Sequence, residues 1–103
     1  MLTLHVPDGT LRVALTRDVA RELLEQLQAL RQSWRQAIPP PRPELNFVHC
    51  DTVRLEFFCN PNVWPHPFAA QVLVTVCHPQ VQVSTQIGLP QLLADVSAFV
   101  ADQ

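Results

Sequence analysis

Two short stretches of the chain hold the side chains best suited to chemistry. His49-Cys50 and Cys77-His78 repeat the same two residue types in mirrored order. Two thiolates and two imidazoles make a donor set for tetrahedral zinc, and two thiols brought together can be oxidised to a disulfide. Antiparallel pairing of the segments around them turns the mirror into cross-strand neighbours, Cys50 opposite Cys77 and His49 opposite His78. Adjacent strand residues point to opposite faces, however, so a regular ladder sends the imidazoles to one side and the thiols to the other. Zinc needs all four ligands on one centre, usually presented by Cys-x-x-Cys knuckles that curl around the ion. The mirrored pairs therefore read first as strand ends, with no cofactor expected. A zinc or thiol-redox centre at His49, Cys50, Cys77 and His78 is the alternative. Cys59 falls at the far end of its strand and is expected in the core.

The elements that position these residues follow from hydrophobic period. Leu2, Leu4 and Val6 alternate with polar residues, as do Leu11, Val13 and Leu15. Pro7-Asp8-Gly9-Thr10 between them has turn chemistry, Gly9 supplying a residue that accepts positive φ, so the two runs form a hairpin. A helix is predicted from about residue 18 to 36, capped by Thr16 or Asp18. Its apolar stripe is Val19, Leu23, Leu27, Leu30, Trp34 and Ile38. Four of the ten prolines then build a stiff internal linker at residues 39–43.

Residues 52–59, 70–77 and 80–85 alternate apolar and polar side chains and read as three antiparallel strands. Setting Val53, Leu55 and Phe57 on one face with Val72, Val74 and Val76 allows the register that opposes Cys50 to Cys77, or one slid by two residues. Gly88 and Pro90 open a last helix with Leu89, Leu92, Leu93, Val96, Phe99 and Val100 on its buried face. The order ββαβββα predicts a single α+β domain over residues 1–103. It is a two-layer sandwich whose antiparallel sheet, an N-terminal hairpin plus a three-stranded meander, carries both helices on one face.

Composition narrows the function. The chain has 103 residues, is 48% hydrophobic and 16% charged, and carries a net charge of −2, the profile of a chain that folds around a core. Seven arginines and no lysine are spread among nine acids, so a phosphate-binding stripe is not visible and nucleic acid is not expected as a partner. No apolar run reaches the ~20 residues of a membrane span. Three cysteines are too few and too odd in number for a disulfide framework, and with no signal segment in sight the expected location is the cytoplasm. Two glycines leave no phosphate-cradling loop and no nucleophile elbow, which argues against an enzyme.

The expectation is a non-catalytic interaction or assembly module. Its 60–68 loop sets Val63, Trp64 and Phe68 among prolines, and the outer sheet face carries Arg54, Phe58 and Leu73. These surfaces would hold a protein partner and, through sheet pairing, a second copy in a homodimer.

Overall fold

The computed structural model describes residues 1–36 and 39–102. Strands β1 (Leu2–Val6) and β2 (Gly9–Val13) form the expected hairpin, paired from Leu2↔Val13 to Val6↔Gly9. Its two-residue loop is Pro7-Asp8. Gly9 already belongs to β2, and among the described residues no glycine adopts positive φ, so the left-handed freedom expected of Gly9 is unused. Helix α1 (Arg17–Arg35) starts where Thr16 Oγ1 accepts the Val19 N–H at 3.2 Å. Ala20, Leu23, Leu27, Leu30 and Ser33 form its buried stripe, and the Ser33 hydroxyl donates to the Leu30 carbonyl at 2.7 Å, which makes its burial tolerable. Ile38, expected to extend this stripe, lies outside the described residues.

After residues 39–44 come β3 (Leu45–Cys50), β4 (Arg54–Cys59), β5 (Gln71–His78) and β6 (Val81–Gly88), one antiparallel meander in that spatial order, followed by helix α2 (Leu89–Ala101). The α+β class, the hairpin, the meander and the two helices agree with the sequence reading, but the hairpin forms its own two-stranded sheet instead of joining the meander in one, because no backbone ladder links β1 or β2 to the four-stranded sheet. The meander has an additional edge strand, β3. The strand expected over residues 52–59 begins at Arg54, because the Asp51 N–H donates to the Val53 carbonyl at 3.0 Å and reverses the chain there.

The register makes one face of the meander continuous core. Phe47, Phe57 and Val74 share an inner row, and Leu45, Leu55, Cys59, Val72 and Ile87 are buried beside them. Phe47 and Phe57 meet edge to face with centroids 6.2 Å apart, the geometry their ring quadrupoles favour. Helices α1 and α2 pack on one another over this face, and β1 packs against α2 and β6, so the hairpin adds Leu2, Leu4 and Val13 to the same core. Val81 and Val83, the apolar face of the strand expected over residues 80–85, are 60% and 43% exposed, because the helices leave that end of the β5–β6 hairpin uncovered.

A buried polar clamp closes the hairpin onto α2. The Asp95 side chain is 6% exposed. It accepts the His5 backbone N–H at 2.8 Å, meets His5 Nδ1 at 2.8 Å and accepts Gln91 Nε2 at 2.9 Å. Hydrogen bonds on both oxygens offset the cost of burying a carboxylate. Among the described residues, no helix is long and apolar enough to cross a membrane.

Candidate functional site

The four mirrored residues are not brought to one centre. Cys50 pairs with Arg54, and Arg54 pairs on its other side with Cys77. The thiols therefore lie two strands apart on the outer face with a guanidinium between them. Sheet spacing sets that separation at about 9–10 Å, beyond the ~4.4–6.8 Å Cα range of a disulfide. The registers expected from sequence had the right face parity and the wrong offset. His49 and His78 fall on the opposite face from the thiols, as strand alternation requires, and on strands that are not neighbours. Among the described residues, no group of three or more His, Cys, Asp or Glu is placed to hold a metal ion. Arg54 is nevertheless the cross-strand neighbour of both thiols. Its side chain bonds Glu56 at 3.0 Å, and that hydrogen bond, followed by the Glu56 charge, raises the guanidinium pKa.

Cys59 is 1% exposed on the inner face, as expected of a core cysteine. Burial pushes its thiol from the usual 9.0 up to about 11. Below pH 9 the thiol is protonated in both states and its full contribution to stability is present. Between about pH 9 and 11 the unfolded chain ionises and the folded one does not, so stability falls as pH rises. The loss from this group is about 2–3 kcal/mol once both states have ionised. Denaturant titrations from pH 8 to above 11 are expected to show a steeper alkaline loss in the wild type than in Cys59→Ala. In the folded protein an alkylating reagent is expected to label the exposed Cys50 first and Cys59 only on unfolding.

The aromatic loop is held in place by asparagines rather than by apolar packing alone. Asn60 Oδ1 caps the short turn Pro61–Val63 by accepting the Asn62 N–H at 3.0 Å. The Asn62 side chain reaches across to the proline-rich linker. Its Oδ1 accepts the Arg42 N–H at 2.6 Å, and its Nδ2 donates to the Arg42 carbonyl at 3.0 Å. At the other end, the Leu89 N–H donates to the Ala70 carbonyl at 2.9 Å and ties the loop to the start of α2. Its three apolar side chains divide. Trp64 is half-buried and packs against the core, whereas Val63 is 66% and Phe68 78% exposed.

Between this loop and the helices lies a cleft of about 680 Å³, within the roughly 300–1,000 Å³ of ligand sites. Arg31, Trp34 and Arg35 of α1 form one wall, Arg42 of the linker a second, and Pro65, His66, Pro67 and Phe68 of the loop a third. The first turn of α2, with Leu89 and Pro90, and then Leu93 complete an apolar side. Three of the seven arginines thus gather in one place with no acid among the lining residues. The positive end of the α2 dipole adds to them. Three buried donors, Arg31 Nε, Trp34 Nε1 and Arg42 Nε, have no acceptor among the described residues, although buried polar atoms are almost always paired.

The sequence reading missed this site. Trp34 reads as part of the core stripe and does pack against the core from a half-buried position, while the arginines read as scattered because Arg42 joins the others only through the fold. The available signal was Arg31-x-x-Trp34-Arg35, where three- and four-residue spacing places two cations beside an indole on one helix edge.

The outer sheet face carries Phe58 directly opposite Leu73, with Val48 diagonal to Phe58. Each is between 37% and 41% exposed, and together they make an apolar strip across three strands. Arg54 and Glu56 lie beside it as an ion pair. No protein-family model, curated protein or solved structure matches the chain, and the cleft, the loop and this face carry its functional reading.

Proposed function

We propose that the chain is a small non-catalytic interaction module that captures a segment of a protein partner at the 60–68 loop and the cleft beneath it. One observation carries the reading. Phe68 stands 78% exposed on a loop fixed through Asn62 at one end and Ala70 at the other. A large apolar side chain held in water on a fixed backbone costs little conformational entropy on binding, which is the character of an interface anchor. Val63 and Phe68 are its anchors, and Trp64 supports the loop from beneath. The non-catalytic part of the reading is supported by the sequence, whose two glycines leave no nucleophile elbow and no phosphate-cradling loop.

Selection from a displayed library of random linear peptides tests the role. Binders are expected, and Val63→Ser/Phe68→Ser is expected to weaken them by about tenfold or more with circular dichroism unchanged. A library that yields no binder, or binders indifferent to both substitutions, removes the role.

The apolar strip of Val48, Phe58 and Leu73 favours a second contact, a homodimer through the outer sheet face. Phe58→Gln is then expected to shift the mass measured by light scattering from dimer to monomer, and a wild type that is monomeric at high concentration removes this part.

A further inference from the structure

We infer that the segment taken by the cleft carries a carboxylate, an Asp or Glu side chain of an acidic peptide, flanked by an apolar residue. The inference rests on the binding role proposed for the same cleft and goes beyond it by naming the chemistry of the occupant. Arg31 Nε, Trp34 Nε1 and Arg42 Nε are buried and lack an acceptor among the described residues. They come from two separate parts of the chain, α1 and the linker, and all three residues line the one cleft. Unpaired buried donors cost free energy until an acceptor arrives, so an anion toward which these side chains turn gains hydrogen bonds that the free protein does not make. No Asp or Glu lines the cleft, and Arg31, Arg35 and Arg42 form no salt bridge among the described residues.

The shape of the donors selects the anion. Guanidinium edges and an indole N–H are directional donors suited to the planar, two-oxygen carboxylate. A phosphate would draw on first-turn amides of α2, but Pro90 has none and the Leu89 N–H is spent on Ala70. Leu89, Pro90 and Leu93 supply the apolar flank. The occupant extends past the cleft, because apolar surface continues onto Phe68 and Val63, which remain 78% and 66% exposed. A small carboxylic acid would leave that surface wet.

The peptides selected from the random library supply the probes. They are expected to share an acidic position beside an apolar one. Fluorescence anisotropy of a labelled selected peptide is then compared with its amide counterpart, glutamine for glutamate, with its phosphoserine counterpart, and with competition by free glutarate. The amide form is expected to bind about tenfold or more weakly. Arg31→Gln and Arg42→Gln are each expected to narrow the acid-to-amide ratio, with folding checked by circular dichroism, while leaving the dependence on Phe68 in place. Selected peptides without an acid, or equal binding of acid and amide forms, overturn the carboxylate and leave the binding role standing if Phe68 still matters. A phosphoserine form tighter by about tenfold reassigns the cleft to phosphopeptides, and glutarate competing as well as the peptide reassigns it to small acids. Each of those outcomes also overturns the inference, and a library with no binder removes it together with the role.

Discussion

Phe57→Ala is expected to lower the unfolding free energy by about 3–5 kcal/mol, whereas Phe58→Ala, one residue along the same strand, is expected to cost less than about 1 kcal/mol. The two side chains are chemically identical and differ only in the face they occupy. Phe57 is 0% exposed between Phe47 and Val74 in the middle of the meander, beneath the helices. Its removal forfeits the transfer energy of a whole ring and leaves a cavity that the strands on either side cannot close. Phe58 is 38% exposed on the other side of the sheet, and truncating it leaves no void. For a domain whose total stability is of order 5–15 kcal/mol, the Phe57 loss brings the chain close to unfolding. It lowers the melting temperature by about 15–30 °C. Urea titrations at low protein concentration, where a dimer would not contribute, read both variants directly. Equal costs at the two positions would contradict the assignment of inner and outer faces, on which the cleft, the strip and the thiol geometry all depend.

That assignment was the part of the fold most legible in the sequence, because a period of two fixes which residues share a face. The periods also showed both helices and the first hairpin, and Thr16 and Pro90 marked helix starts that the structure keeps within a residue or two. What parity cannot supply is the offset between strands, which turns and loops determine. The reversal at residues 51–53 contains neither glycine nor proline, so a strand read straight through it. β3 stayed hidden because only Leu45 and Phe47 alternate before Val48 breaks the pattern by facing outward. The mirrored cysteines then slid from opposite one another to either side of Arg54. Val81 and Val83 show a related limit, since alternation identifies a face but not how far the covering helices extend along it. The cleft was illegible for a different reason. Its walls come from α1, the linker, the loop and α2, and its distinguishing feature, three donors without acceptors, exists only after those parts meet.

The second large effect belongs to a residue that hydropathy alone would leave on the surface. Asp95→Ala is expected to cost about 3–4 kcal/mol, while His5→Ala, which removes the other side chain of the same pair, is expected to cost less than about 1 kcal/mol. A hydrogen-bonded pair reckoned as a unit would predict similar losses from either end. The structure predicts asymmetry, because the His5 ring is 57% exposed and the Asp95 carboxylate only 6%. Losing the imidazole removes one bond at the rim. Losing the carboxylate also strands the His5 backbone N–H, which Asp95 accepts at 2.8 Å, and frees the Gln91 amide. Asp95→Asn keeps the size and one acceptor oxygen, and its cost should fall between the two, at roughly 1–2 kcal/mol. Because β1 rests on α2 at this point, the damage should be local before it is global. Hydrogen exchange is expected to accelerate first at the His5 amide and along β1, with β4 and β5 retaining their protection until the whole chain opens. If the His5 amide exchanges no faster in Asp95→Ala than in the wild type, the clamp does not hold the hairpin. Attachment of β1 would then fall to Leu2 and Leu4 in the core.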